Sequence, residues 1–169
     1  MTSRVCALLG VVLLASLVAA QPGPPQRSAG PPQPQSEQMK AGIAHFDRAF
    51  YDLTAQKRHA EAAVEFDRAV EAFERELAAS SWSAPAHTYL ARIHAVRKDF
   101  RKAGEHYDQV AAIEPGNVDA CVLAALAYVD ANDIAAARTR VEQARTRTQD
   151  PEVLTRLDGY LARLDALKR

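Results

Sequence analysis

Hydrophobic residues recur every three to four positions from Ser36 to the end of the chain, and this spacing predicts amphipathic helices. The first predicted helix begins at Ser36, whose side chain can cap it, and runs to about Gln56 with Ile43, Phe46 and Phe50 on one face. Polar and proline breaks separate six further helices, over residues 60–79, 85–96, 99–113, 117–130, 133–147 and 151–167. No segment alternates like a strand, so the predicted fold class is all-α.

Residues 1–20 are predicted to be a signal peptide that is removed on export. Arg4 precedes an uncharged apolar run from Val5 to Ala20, which ends in the small residues that signal peptidases prefer. The run is shorter than the roughly 20 apolar residues of a membrane span, but an uncleaved membrane anchor stays an alternative. Cleavage would remove Cys6 and leave Cys121 without an internal disulfide partner. We therefore expect an exported protein, periplasmic or secreted, and the alanine- and arginine-rich composition favours a bacterial envelope.

The next segment, residues 21–36, is rich in proline and glutamine and contains six of the nine prolines of the chain. It has no aliphatic residue larger than alanine, so it has little to bury. Such a composition is typical of an extended, disordered linker. The folded domain is therefore predicted to cover residues 37–169.

The sequence also repeats itself with a period of about 34 residues, which lies in the range typical of repeat architectures. Residues 86–94 align with residues 120–128, and the same interval joins Asp99 to Asp133 and Ala103 to Ala137. Most aligned positions keep their size class. Self-similarity at this period indicates a stack of helix–turn–helix units.

This pattern resembles the tetratricopeptide repeat (TPR) family, whose units carry small and aromatic residues at fixed places and close with a proline. The best copy holds these places with Leu90-Ala91, His94, Ala103, Tyr107, Val110 and Pro115. The next copy holds them with Ala124-Ala125, Tyr128, Ala137, Val141, Ala144 and Pro151. An earlier, weaker copy fits Ala49-Phe50, Leu53, Ala62, Phe66 and Ala69.

The resemblance implies an α-solenoid of three TPR-like units, over residues 43–79, 84–117 and 118–151, followed by a capping helix over residues 151–167. The first unit departs from the pattern, because Phe50 takes a small-residue place and seven extra residues precede the second unit. We assign the extra length to a longer second helix. Alanine makes up one residue in five, 34 of 169, as expected where helices cross closely.

In this family the first helices of successive units line a concave groove that binds an extended peptide or a partner helix. The resemblance therefore implies a partner-binding groove, whose predicted residues are Asp47, Tyr51, Thr88, Tyr89, Arg92, Val96, Val122, Leu126 and Val129. The lysines and asparagines with which some members grip a terminal carboxylate are not at these places. A groove of tyrosines, one arginine and an apolar end favours an amphipathic segment. The alternative is that these side chains only pack against the capping helix.

The chain has no sequence motif for catalysis or phosphate binding. His87 and His94 lie seven residues apart on one helix face, where packed histidines are favoured over a metal pair. Cys121 takes a small packing position, which favours a structural thiol over a nucleophile. We therefore predict no enzymatic activity, no catalytic or metal-binding residues and no cofactor.

Charge narrows the choice of partner. The formal net charge is zero, which argues against a dedicated nucleic-acid binder. The sixth helix nevertheless carries a basic cluster, which is either a solvated face or a contact for an acidic partner or lipid head groups: Arg138, Arg140, Arg145 and Arg147.

The sequence as a whole predicts a non-enzymatic adaptor or assembly factor of the cell envelope that binds a protein or peptide partner. Two alternatives remain open at this point. One is a membrane-tethered scaffold that keeps its N-terminal segment. The other is an accessory subunit of an enzyme complex.

Overall fold

The computed structural model describes residues 35–167, so the predicted signal peptide and most of the predicted linker lie outside the described residues. Within this range the structure is all-α. Seven helices follow one another, and each packs against the next: α1 (Glu37–Asp47), α2 (His59–Ala79), α3 (Ala84–Val96), α4 (Phe100–Ile113), α5 (Val118–Asp130), α6 (Ile134–Thr146) and α7 (Pro151–Leu167). The predicted all-α repeat array is thus confirmed.

Side-chain caps start three of the helices where the sequence predicts them. The Ser36 Oγ accepts a hydrogen bond from the Met39 N–H at 3.0 Å, and α1 begins at the next residue. Asn117 caps α5 and Asp133 caps α6 in the same way. Such caps satisfy backbone N–H groups that have no partner inside the helix, which explains why short polar residues fix these boundaries.

The turn inside each unit has the same backbone conformation. Lys57, Lys98 and Asn132 are the residues with left-handed φ angles in the described chain, at 60°, 62° and 58°. In each case the N–H of the following residue donates to the carbonyl five positions earlier, at 2.8–2.9 Å. The interval from Lys98 to Asn132 equals the repeat interval of the sequence, and the longer interval from Lys57 to Lys98 contains the extra residues of the first unit. The turns therefore fall where the predicted register requires them.

The seven extra residues of the first unit lie in its second helix, as predicted. Helix α2 has 21 residues, whereas its counterpart α4 has 14. The first helix of this unit differs in a way that was not predicted. After Asp47 it continues as a π-helical segment, Arg48–Leu53, in which the backbone turn is one residue wider than in an α-helix.

Small residues occupy the crossing points between helices. Ala91, Ala103 and Ala137 have no exposed surface, and Ala125 is 4% exposed. Gly104 on α4 lies against the Tyr128 ring of α5, and a Cβ atom there would come within 2.9 Å of that ring. The high alanine content of the chain is therefore used to bring helices close together.

The buried apolar residues form two groups. The first core cluster joins α1, the π segment, α2 and one face of α3, and its largest members are Phe46, Phe66, Phe73, Leu90 and Ile93. The second core cluster joins the other face of α3 to α4–α7 and consists mostly of alanines with Tyr107, Tyr128, Leu157 and Leu164. Helix α3 is shared by both clusters, so it connects the two halves of the array.

A buried carboxylate also ties α1 to α2. Glu65 is 5% exposed, lies 2.6 Å from His45 Nδ1 and accepts a hydrogen bond from Arg68 at 2.9 Å. The hydrogen bond with His45 holds the pKa of Glu65 below its usual range, although burial acts in the opposite direction. On α2, the side chain of Val64 is 50% exposed to solvent. Within residues 35–167, no helix combines the length and apolar composition needed to cross a membrane.

Candidate partner-binding groove

The predicted groove residues lie on the first helices of the three units: on α1 and its π segment, on α3 and on α5. Tyr51, Arg92 and Leu126 occupy equivalent positions, because the intervals between them along the chain equal those between the three left-handed turns. Tyr51 is 58% exposed and Leu126 is 46% exposed. The equivalent position thus changes from tyrosine to arginine to leucine along the array.

Aromatic rings surround the middle of this row. The Arg92 guanidinium lies 4.6 Å from the centroid of the Phe46 ring and 5.8 Å from that of Phe50. The Tyr89 ring, with its centroid 5.7 Å from the guanidinium, stacks on Phe73 and packs edge-on against Phe46. Tyr89 therefore contributes mainly to the first core cluster. Arg92 forms no ion pair with a carboxylate of the described residues, although cation–π contacts hold it in place.

An apolar pocket lies at the other end of the row. Its volume is about 200 Å³, and it opens between α5, α6 and the capping helix α7. Three of the predicted groove residues line it together with five others: Val122, Ala125, Leu126, Val129, Val141, Tyr160, Arg163 and Leu164. A capping helix was not expected to line the groove, so Tyr160 and Arg163 of α7 are not among the predicted groove residues.

The remaining predicted residues do not converge on this pocket. Asp47 and Tyr51 lie exposed on the first unit, and Val96 is exposed at the end of α3. The Thr88 hydroxyl donates to the Ala84 carbonyl of its own helix at 2.9 Å, so this interaction already occupies its donor. The structure therefore divides the predicted groove into an Arg92 end and an apolar α5–α7 end.

The basic cluster of α6 is engaged within the chain. Arg138 pairs with Asp165, and Arg145 Nε lies 2.8 Å from Asp158 Oδ1, so both arginines connect α6 to α7. Arg140 pairs with Asp108 of α4, and Arg147 donates to the Ala111 carbonyl at 3.0 Å. These contacts support neither a solvated face for all four residues nor an open basic patch for an acidic partner.

The two histidines singled out from the sequence meet a third. His87 Nδ1 lies 3.1 Å from His106 Nδ1, and the His94 ring stacks on the His106 ring with centroids 5.4 Å apart. Burial lowers the pKa of all three, and that of His106 falls to about 4. In the part of the chain that the structure describes, no group of three or more histidine, cysteine or acidic residues is arranged to hold a metal ion.

The thiol of Cys121 is fully buried and lies 3.0 Å from Arg147 Nη1. Burial raises its pKa, with the nearby Arg147 acting in the opposite direction. A nucleophilic cysteine requires an accessible thiolate, and this environment favours the neutral thiol. The contact with Arg147 was not foreseen, because the two residues lie on different helices and no local pattern relates them.

Comparison with known proteins agrees with this description. Residues 97–157 match the family model described as tetratricopeptide repeat. The structure is similar to the N-terminal domain of stress-induced protein-1 (STI-1) from C. elegans, with a TM-score of 0.50, 17% identity and coverage of 74% of this chain and 98% of that one. No curated protein sequence matches this chain.

A second solved structure with some similarity is described as the first TPR of Spaghetti (RPAP3) bound to the HSP90 peptide SRMEEVD. Its TM-score is 0.47 with 14% identity, and the match covers 73% of this chain and 95% of that one. The family match includes the turn at Lys98, helices α4, α5 and α6, the first part of α7 and most of the alanine crossing points. The similarity to the tetratricopeptide repeat family model is thus confined to residues 97–157 of this chain.

Proposed function

We propose that this protein is a non-enzymatic adaptor or assembly factor of the cell envelope that binds a partner peptide or helix in a concave groove formed by its first helices. The observation that carries the proposal is the pocket at α5–α7. Leu126 remains 46% exposed beside it, although buried apolar residues surround it on α5 and α7. Clefts lined by apolar side chains, with a few polar groups at the edge, are the usual form of a binding site.

The chemistry of the groove favours a particular kind of partner. The pocket accepts an apolar side chain, while Arg163 at its edge and Arg92 one unit away offer positive charge. Neither arginine is paired with a carboxylate of residues 35–166, whereas all four arginines of the α6 basic cluster make contacts within the chain. We therefore infer an amphipathic segment that carries an apolar anchor and at least one acidic residue.

The test uses a photocrosslinking amino acid at position 88, a predicted groove position on α3, in living cells. We expect it to capture a discrete protein partner, and we expect Leu126→Asp to abolish that capture, because a carboxylate would be forced against the pocket mouth. The matched control is Val64→Asp, which places the same charge on an equally exposed valine of α2. Capture that survives Leu126→Asp, or that is lost equally with Val64→Asp, contradicts groove binding.

The acidic character of the partner is tested separately with synthetic peptides. The probe is an amphipathic peptide of leucine and glutamate residues, compared with the same peptide carrying lysine in place of glutamate. We expect the glutamate peptide alone to bind, and we expect Arg163→Glu to weaken its binding by about tenfold or more. Equal binding of both peptides would refute the charge preference while leaving the groove intact.

The envelope role rests on the predicted signal peptide and on the proline-rich segment that follows it. Removal of the signal would leave Gln21 at the N-terminus and release the linker and repeat domain from the membrane. Mass spectrometry of the protein from its native cells tests this. Detection of residues 1–20 on the protein in the membrane fraction would favour a membrane-tethered scaffold with the same groove.

A further inference from the structure

The three histidines form a polar cluster where α3 packs against α4, beside the end of α2. We call this region the first junction and call His87, His94 and His106 the histidine cluster. His87 is 9% exposed, and His106 lies between the other two, in contact with the His87 ring nitrogen and stacked on the His94 ring. None of these three side chains carries a permanent positive charge, so the close contacts among them require that the imidazoles are neutral.

In the next unit, the positions equivalent to the three histidines hold side chains that do not titrate near neutral pH. One repeat interval after the histidine cluster, the equivalent positions hold Cys121, Tyr128 and Arg140, and we call the place where α4 meets α5 and α6 the second junction. There, Arg140 Nε lies 2.5 Å from Asp108 Oδ1, and the Tyr128 hydroxyl donates to Asp108 Oδ2 at 2.8 Å. Burial together with the Asp108 hydrogen bond raises the pKa of Tyr128 to about 12.

Charged groups around the histidine cluster only partly compensate a proton on it. Asp99, in the turn before α4, lies 3.6 Å from His94 Nδ1, and it and Glu74 of α2 favour the protonated form of His94. Arg97 and Lys102 oppose it, and the backbone of Ser81 favours protonation of His87. Around His106 the charge effects are those of the other two histidines and Lys102, and all of them oppose protonation.

We propose that the histidine cluster makes the first junction acid-sensitive, so that it loosens between neutral pH and about pH 5 while the second junction stays closed. A proton on His106 would meet two neighbouring imidazoles and no carboxylate. Moving α4 away from α3, on the side that faces α2, would let water reach the protonated His106 and would reduce this unfavourable interaction. Helix α3 also carries Arg92, which contacts the Phe46 and Phe50 rings of the first unit, so the Arg92 end of the groove would change and the α5–α7 pocket would not.

The direction of the effect follows from proton binding. A histidine whose pKa is lowered in the folded state binds protons more readily when unfolded, so folding stability decreases as the pH is lowered through this range. The stabilisation is complete above the unfolded pKa of about 6.5 and is lost progressively as pH falls towards about 4, the pKa of folded His106. Between about pH 7.5 and about pH 5 this shift allows at most about 30-fold in the unfolding equilibrium constant, and because His106 is only half-buried we expect about 3- to 30-fold.

The experiment measures urea unfolding of the purified full-length protein at about pH 7.5 and about pH 5, for the wild type and for His106→Gln. We expect the variant to lose most of the pH dependence, because glutamine fills the site without titrating. The matched control is His59→Gln, since His59 is exposed on α2 and outside the cluster. Acid effects from carboxylates such as Glu65 are common to all three proteins. An equal pH dependence in His106→Gln and the wild type would overturn the proposal.

Hydrogen exchange at the two pH values, corrected for intrinsic exchange rates, locates the change. We expect α3 and α4 to lose protection at about pH 5 while α5 and α6 keep it. Equal loss in all helices would mean global destabilisation and would also overturn the proposal. If His106→Gln does not fold, His94→Gln at the edge of the cluster serves in its place. None of these measurements involves a partner, so the result stands or fails independently of the proposed groove.

Discussion

The two core clusters hold similar helix pairs together with different side chains. In the first cluster, large rings such as Phe46, Phe66 and Phe73 fill the space between helices. In the second cluster, alanines at most crossing points let the backbones approach, and Gly104 admits the Tyr128 ring. The left-handed turns nevertheless fall at equivalent positions in all three units. The repeat therefore fixes the path of the backbone, whereas each half fills the space between its helices with a different kind of side chain.

The buried polar groups also differ between the two halves. The second junction carries an arginine–aspartate pair that keeps its charges across the physiological pH range, and the first junction carries imidazoles. The clusters share α3, so damage to one is expected to reach the other only through that helix. Substitutions in each half therefore test this separation.

Shortening a large side chain of the first core cluster should lower the free energy of unfolding more than the other changes. Phe73 is fully buried and stacks on Tyr89, with ring centroids 5.0 Å apart. We expect Phe73→Ala to lower the free energy of unfolding by about 3–5 kcal/mol, measured by urea denaturation, because it leaves a large cavity. The control is Trp82→Ala, since Trp82 is 61% exposed and its removal should change little. A loss below about 1 kcal/mol for Phe73→Ala would mean that this cluster is not tightly packed.

The second cluster should instead be sensitive to added volume. Ala137 has no exposed surface, and Ala103 occupies the same position one unit earlier. We expect Ala137→Trp to destabilise the protein by about 1–3 kcal/mol and to lower Tm by several degrees, since a tightly crossed helix pair cannot accommodate an indole. Ala135→Trp, on the exposed side of α6, is the matched control. An unchanged Tm for Ala137→Trp would contradict the repeat register.

Removal of the fixed charge at the second junction should have the smallest effect of the three. Arg140→Gln leaves Asp108 and Tyr128 without their cation. We expect a loss of about 1–2 kcal/mol, at the low end for a buried pair because both side chains retain about a fifth to a quarter of their exposure. This loss should be the same at about pH 7.5 and about pH 5, in contrast to the first junction. A loss confined to one of the two pH values would contradict the comparison.

Much of the fold could be predicted from the sequence because its determinants are local. Ser36, Asn117 and Asp133 cap helices through atoms three residues away, and helical periodicity shows which face is buried. The repeat interval then supplied the register. Even the longer second helix of the first unit followed from counting residues between equivalent positions.

The site could be predicted only in part, because its contacts join elements that no local pattern relates. The α5–α7 pocket needs Tyr160 and Arg163 from a helix outside the repeat pattern. The meeting of His106 with His87 depends on how α4 lies across α3, and the pairing of Arg138 with Asp165 depends on the docking of α7. The wider backbone turn around Phe50 depends on packing that hydrophobic spacing does not reveal.

The π-helical segment has a consequence for how the first unit accepts changes in length. Each α-helical residue turns the chain by about 100°, so one surplus residue inside a helix would rotate everything before it away from the core. The wide turn at Arg48–Leu53 absorbs such a residue, and buried side chains lie both before it, at Phe46, and at its end, at Leu53. The segment thus preserves the orientation of the helix on either side of the surplus residue, and deleting one residue within it should leave a regular α-helix in which Met39 and Phe46 still face the core.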